Sequence, residues 1–155
     1  MKNSYTVLCV LISLTILRNV NAQSNQILTN TSINGAWEMV WSNEKENPTG
    51  KAMEFKLYHD GFFSVLWQDT PGKWNHGAAG VYKLNGNALQ QIVKYDTDTS
   101  FINWQFWQSV ELTKDTLYTK VFYKVINPKG EDVSKQWGNS VREKWIRAKN
   151  DLNRN

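Results

Sequence analysis

Closely spaced turn signals constrain the fold of this chain more than any other feature. From Ile33 onward, stretches of alternating apolar and polar residues are separated by reversals such as Asp60-Gly61, Asn85-Gly86-Asn87 and Lys114-Asp115. Gly, Asn and Asp tolerate the positive φ angles that tight hairpins need. Turns at such intervals favour antiparallel strands that neighbour one another in sequence order. Because no stretch shows helical periodicity over a full helix length, the chain is predicted to be all-β.

Eight segments between the turns are predicted as strands: Asn34–Ser42, Lys51–Tyr58, Gly61–Asp69, His76–Leu84, Asn87–Asp96, Asn103–Thr113, Thr116–Ile126 and Asn139–Lys149. An even number of antiparallel strands can close on itself by pairing the last with the first. The prediction is therefore an eight-stranded antiparallel up-and-down barrel over residues 33–149. A two-sheet sandwich is the alternative, but it usually needs several long connections, and only residues 127–138 form one here. Residues 23–32 are predicted as a flexible leader and residues 150–155 as a polar tail.

Residues 1–22 have the pattern of a secretory signal peptide. Lys2 precedes an apolar run over residues 5–17, and Val20-Asn21-Ala22 is a small-residue cleavage pattern. The apolar run is short for a transmembrane anchor, which is the alternative interpretation. We therefore expect a secreted or periplasmic protein that keeps no stable membrane anchor after cleavage.

The composition of the predicted mature chain excludes several classes of function. Cleavage after Ala22 would leave 133 of the 155 residues, enough for one domain with its own core. Cys9 is the only cysteine and lies in the signal segment, so disulfide scaffolds, zinc-thiolate sites and cysteine nucleophiles are not expected. Loss of Lys2 and Arg18 lowers the formal net charge from +4 to +2, and no basic block occurs. A nucleic-acid partner is therefore not expected.

The two ends of the predicted barrel carry residues that would meet when it closes. Trp37 opens the first strand and Arg147 closes the last, so the guanidinium can stack on the indole face. Gly35 lets the chain turn tightly into the first strand. An alternative role for Arg147 is an anchor for an anionic ligand, which requires it to be buried inside a cavity.

Short motifs that include the closing residues are spread along the chain: Gly35-x-Trp37, Asp60-Gly61-x-Phe63, Gly80-x-Tyr82, Asp115-x-Leu117 and Glu143-x-Trp145-x-Arg147. In their order and spacing the chain resembles the small lipocalin-like domains of secreted bacterial proteins, within the calycin group. The resemblance implies that Gly35, Trp37, Trp145 and Arg147 close the barrel. Because the predicted mature chain has no cysteine, it is similar to the compact lipocalin-like type rather than to disulfide-bonded lipocalins.

Alternation within the strands predicts which side chains face the interior. Phe55 shares a face with Leu57, and Tyr123 shares a face with Val125. The predicted inward, ligand-lining residues are Met39, Phe55, Val65, Tyr82, Trp104, Phe106 and Tyr123. The open end of the barrel is predicted to be ringed by residues 43–50, 69–75 and 96–103.

Tryptophan is the unusual component of the composition, since all eight lie after residue 22. Flat aromatic side chains suit a pocket for a small apolar or aromatic ligand, although large side chains also fill small barrels completely. His76 is predicted as a polar contact to the ligand. The alternative is a surface module with a filled barrel, binding a carbohydrate or protein through Trp74, Trp107 and Trp137.

Residues for catalysis are sparse. His59 and His76 are the only histidines, and they have no metal-ligand spacing. No serine lies in a nucleophile elbow, no glycine-rich phosphate loop occurs, and Glu111 and Glu143 are the remaining carboxylate pair. The expectation is a non-enzymatic binding protein without metal or cofactor.

Overall fold

Eight antiparallel strands follow one another around a closed barrel. The computed structural model describes residues 27–44, 51–70, 72–137 and 141–149. The strands within them are β1 (Gly35–Ser42), β2 (Glu54–His59), β3 (Phe62–Thr70), β4 (Lys73–Asn85), β5 (Ala88–Asp96), β6 (Gln105–Thr113), β7 (Thr116–Ile126) and β8 (Glu143–Arg147). Each strand pairs with its sequence neighbours, and β8 pairs with β1. The predicted fold class is confirmed.

The predicted signal segment and polar tail lie outside the described residues. Within the described ranges, three short 3-10 helices occur at Asn30–Ile33, Thr99–Phe101 and Ser134–Gln136. None of the described helices has the length and apolar character needed to cross a bilayer.

The tight turns gather at one end of the barrel, which we call the floor. The β2–β3, β4–β5 and β6–β7 hairpins all reverse there, since alternate connections of a meander share an end. Asp60, Gly86 and Lys114 have φ angles of 45°, 59° and 53° in these turns. The predicted turn residues therefore have the backbone conformation for which they were singled out.

Large apolar side chains fill the barrel just above the floor. Trp37, Tyr58 and Trp145 are fully buried, and the Tyr58 ring packs edge-on against Tyr82 with centroids 4.9 Å apart. The remaining buried members of this core are Ile33, Met39, Phe63, Leu84, Leu89, Val93, Val110 and Leu117. Burial of each large side chain contributes about 1.5–3 kcal/mol, so this end provides most of the hydrophobic stabilisation.

The 3-10 helix Asn30–Ile33 covers the floor from below. Ile33 is fully buried, and its carbonyl accepts a hydrogen bond from Trp37 Nε1 at 2.8 Å. The Asn30 side chain accepts from the backbone N–H of Leu84 at 2.6 Å, and the Asn30 carbonyl accepts from the Tyr82 hydroxyl at 2.9 Å. The segment predicted as the end of a flexible leader is therefore an ordered part of the barrel, because it satisfies buried polar groups.

Arg147 closes the barrel at the floor. It lies opposite Trp37 in the β1–β8 ladder, and its guanidinium carbon is 4.4 Å from the Trp37 ring centroid. Its Nη1 donates to the Asn34 carbonyl at 2.8 Å. Gly35 has a φ of 124°, and a Cβ there would lie 2.7 Å from that same Nη1. The alternative prediction, that Arg147 anchors an anionic ligand inside a cavity, is wrong, because the guanidinium lies at the floor and not in a cavity.

The inward face of β2 is opposite to the one predicted. Tyr58 points into the floor core, and alternation then turns Lys56 and Glu54 inward as well. Phe55 and Leu57 lie on the outer wall, where Leu57 is 43 % exposed. Phe55 is therefore not a lining residue. Tyr58 is the aromatic residue of β2 that points into the barrel.

Two β-bulges overturn the prediction for Tyr123. Three consecutive residues of β6 pair with Lys120, Phe122 and Lys124 of β7. At each of these two steps β7 therefore carries one extra residue. The side-chain alternation shifts at each bulge, and Phe122 and Val125 face inward while Tyr123 is 49 % exposed on the outer wall. A strict period of two does not extend through this strand.

We predict that Gly35→Ala lowers the free energy of unfolding by about 2–3 kcal/mol, as measured by urea denaturation. The new Cβ would meet the Arg147 guanidinium and would strain the backbone at φ 124°. Gly130→Ala is the control, because Gly130 also has a positive φ of 84° but has nothing within 4 Å of its Cβ position. The control should lose only about 1 kcal/mol. Equal losses for both variants would show that the close approach to Arg147 is unimportant.

We predict that removing the hydroxyl group affects the free energy of unfolding differently at two floor tyrosines. The Tyr58 hydroxyl is buried without a hydrogen-bonding partner among the described residues, and burial, with the Glu143 carboxylate second, holds its pKa well above the usual value. Tyr58→Phe should therefore leave stability unchanged or raise it, whereas Tyr82→Phe should cost about 1 kcal/mol by removing the bond to Asn30. Urea denaturation of both variants tests this. A larger loss for Tyr58→Phe would contradict it.

Candidate ligand-binding site

A cavity of about 310 Å³ occupies the half of the barrel away from the floor. Its apolar lining residues are Phe63, Val65, Trp67, Ala78, Val93, Phe106, Phe122 and Trp137, and its polar lining residues are Glu54, Lys56, Gln91, Asp96 and Glu143. The apolar residues outnumber the polar ones, as in most small-molecule pockets. The interior is therefore filled at the floor and open above it.

A pair of small inward side chains leaves room on one side of this cavity. Val65 of β3 lies directly opposite Ala78 of β4. One step nearer the floor, Phe63 lies opposite Gly80, where an added Cβ would come within 2.9 Å of the Phe63 ring. The floor is thus packed by a large residue against glycine, whereas the level above it has only Val and Ala and stays open.

The opposite side of the cavity is an aromatic wall. The Trp137 ring lies 5.1 Å from Phe106 and 6.2 Å from Phe122, with interplanar angles of 73° and 81°. Trp104 and Phe101 support Trp137 at 5.6 and 6.0 Å. These edge-on and tilted arrangements are favourable aromatic geometries. Trp137 comes from the long β7–β8 connection, so that connection provides part of the binding surface.

The base of the cavity is polar. Lys56 is only 8 % exposed, and its Nζ lies 4.2 Å from the Trp145 ring centroid. Gln91 and Gln108 are also buried, and Gln108 Nε2 donates to Gln91 Oε1 at 3.0 Å. Each of the three residues is one inward step from a floor residue on its own strand. A ligand that reaches the base would therefore meet the Lys56 ammonium and the Gln91 amide, which is hydrogen-bonded to Gln108.

The carboxylates that line the cavity have hydrogen-bond donors of their own, and Glu143 lies one inward step from the floor residue Trp145. Glu143 Oε2 accepts from Thr119 Oγ1 at 2.6 Å and from Trp145 Nε1 at 2.9 Å. Asp96 Oδ1 accepts from the backbone N–H of Asp98 at 2.8 Å. These donors fix the positions of the two carboxylates.

Of the predicted ligand-lining residues, Val65 and Phe106 lie on the cavity wall. Met39 belongs to the core and lines an adjoining hollow of about 250 Å³, which shares Trp137 and Glu143 with the cavity. Tyr82 is buried in the floor, where its hydroxyl donates to Asn30. Phe55 and Tyr123 lie on the outer wall, as described above.

Trp104 and His76 lie beside the cavity and not on its wall. Trp104 Nε1 donates to the Ser100 carbonyl at 2.8 Å, and its ring stacks on Phe106. The His76 ring stacks on Trp67 with centroids 5.6 Å apart, and its Nε2 lies 2.6 Å from Asp69 Oδ1. Both residues therefore support aromatic lining residues from behind.

The three tryptophans of the surface-module alternative are not on one face. Trp107 is on the outer wall, where Lys124 Nζ lies 4.9 Å from its ring centroid, whereas Trp137 lines the cavity. Trp74 is 45 % exposed, and it lies in β4, which begins at Lys73 rather than at His76. A shared carbohydrate platform needs all three rings on one surface, and these rings lie on opposite faces of the sheet.

The carboxylate pair considered for catalysis is also separated. Glu111 is exposed and forms an ion pair with Lys120 at 2.5 Å, whereas Glu143 lies in the cavity. No group of three or more His, Cys, Asp or Glu residues in the described part of the chain is arranged to hold a metal ion.

Sequence reasoning missed the polar lining and two aromatic residues. The alternation of β2 predicts that Lys56 and Glu54 lie on the outer wall. Both side chains instead point into the barrel, on the same face of the strand as Tyr58. Phe122 was hidden by the β7 bulges, which leave no mark in the sequence pattern. Trp137 was named only in the surface-module alternative and not among the lining residues.

Comparisons with known proteins leave the family open. No protein-family model matches the chain, and no curated protein matches it either. Among solved structures, it is similar to an uncharacterized protein from Bacteroides eggerthii at 16 % sequence identity. That alignment covers 74 % of this chain and 98 % of the other, with a TM-score of 0.44.

Proposed function

We propose that this chain is a non-catalytic, lipocalin-like binding protein that takes a small apolar or aromatic molecule into its barrel cavity. The observation that carries the proposal is the cavity itself, about 310 Å³ with a predominantly apolar lining. Ligand pockets commonly begin at this size and combine apolar walls with a few polar groups. Binding would proceed by burial of the ligand's apolar surface and would end in release without chemistry.

The aromatic wall supports a flat or apolar ligand. Phe106, Phe122 and Trp137 expose ring surface on one side, and Val65 and Val93 provide aliphatic surface. Aromatic ligands stack favourably against such rings at offset or edge-on geometries.

The distribution of titratable groups supports binding without catalysis. General acid-base chemistry needs a donor or acceptor within reach of the bound substrate. The two histidines do not line the cavity: His59 is beside Asp60 on the exterior, and His76 is held by Asp69. Glu143 is already engaged by two donors.

Two further elements of the proposal rest on sequence and on closure geometry. A lipocalin-like identity is supported by the Arg147 guanidinium stacked on Trp37 beside Gly35. A secreted or periplasmic location is supported by the signal-like pattern of residues 1–22. Native mass spectrometry on protein purified gently from its host would reveal a co-purified passenger and its chemical class.

We predict that the neutral aromatic probe N-phenyl-1-naphthylamine binds one-to-one, and that Ala78→Phe weakens this binding by about tenfold or more. Ala78 faces the cavity, so a phenyl ring there would occupy ligand space. Ala79→Phe is the matched control, because Ala79 is the next residue of β4 and faces outward with Ser64. Fluorescence titration of the three proteins gives the dissociation constants.

The control should bind the probe as the unmodified protein does. Comparable weakening by both variants would place the probe outside the cavity, and the absence of any binding to the unmodified protein would refute the proposed pocket. Urea denaturation of Ala78→Phe shows whether its effect comes from an occupied cavity or from loss of the fold.

A further inference from the structure

We propose that the ligand carries a negatively charged head group, such as a carboxylate, which the Lys56 ammonium binds at the base of the cavity. This inference deepens the proposed function and rests on it. It concerns the positive charge that lines the cavity, its burial and its contact with the Trp145 ring.

Lys56 is a buried cation that has no acidic partner among the described residues. The side chain is 8 % exposed, and its Nζ lies over the Trp145 ring at 4.2 Å from the centroid. Within the described residues, no carboxylate lies at ion-pairing distance from this ammonium. An indole face compensates only part of the hydration that a buried ammonium loses. The remaining N–H donors are thus available to a bound anion.

Three carboxylates line the same cavity, so an anionic ligand would meet their negative charges as well as the positive charge of Lys56. Glu143 accepts two hydrogen bonds, from Thr119 and Trp145, and Asp96 accepts one from the backbone of Asp98. Glu54 also has an interaction partner. Each acidic group is therefore engaged, whereas the contact of the ammonium in the described part of the chain is with the Trp145 ring. The indole of Trp145 contacts both signs of charge, using its face for Lys56 and its Nε1 for Glu143.

The depth of Lys56 decides which end of a ligand it meets. Lys56 precedes the floor residue Tyr58 by one inward step, so it lies at the base and not at the rim. Trp137 and Asp96 come from the open end of the barrel, where the β7–β8 and β5–β6 connections lie. An amphipathic anion would therefore enter head first, with its apolar body against Phe106 and Trp137. A charge-assisted hydrogen bond in this dry base would be strong.

Three naphthalene probes with the same body and different heads test the inference: 2-naphthylacetate, 2-naphthylacetamide and 2-(2-naphthyl)ethylamine. Isothermal titration calorimetry on the full chain should show the acetate binding about tenfold or more tightly than the amide. Lys56→Met keeps a similar side-chain length without the charge. It should abolish this preference while it retains the affinity for the amide.

Lys83→Met is the matched control, since Lys83 is an exposed lysine on the outer wall of β4, and it should keep the preference for the acetate. Equal binding of acetate and amide to the unmodified protein would overturn the inference, and tighter binding of the amine would show that the carboxylates select a cation. In both cases N-phenyl-1-naphthylamine still binds, so the pocket stands. Failure of that neutral probe and of all three naphthalenes would instead refute the proposed function. Retained binding of the amide by Lys56→Met shows that this variant is folded.

Discussion

The contact between Arg147 and Trp37 determines much of what lies above it. The guanidinium stacks on the indole and donates to the Asn34 carbonyl, which ties the end of β8 to the start of β1. Closure in this register places Met39 opposite Trp145. Trp145 then points inward within the floor core, and its ring face receives the Lys56 ammonium. A contact outside the cavity thus sets the position of the charge inside it.

The fold could be predicted because the turns and the closing residues are local signals. Asp60, Gly61 and Gly86 have the positive φ angles that their residue types tolerate, and Gly35 has a φ that other residues rarely adopt. The face of β2 was harder, because its apolar residues lie outside. Tyr58 packs on Tyr82, which is distant in the sequence, and this contact determines which face of β2 points inward. Alternation shows that a strand has two faces but does not show which is inward.

The cavity was less predictable than the barrel, for two physical reasons. The bulges in β7 depend on how that strand pairs with β6, and they turn Phe122 inward and Tyr123 outward without any mark in the sequence. Trp137 joins the wall because the long connection folds back over the open end, against Phe106. Both features arise from tertiary pairing, which a pattern of single residues does not encode.

The floor and the cavity differ in what fills the interior of the barrel. Below, Trp37, Tyr58 and Trp145 are fully buried, and apolar burial of this kind is the main source of stability. Above, a lysine and an amide pair replace apolar side chains in the interior, although burying charge without an acidic partner is costly. A barrel selected for stability alone would fill this level with apolar residues. The polar base is the level at which the proposed anionic head group would supply an acidic partner to Lys56.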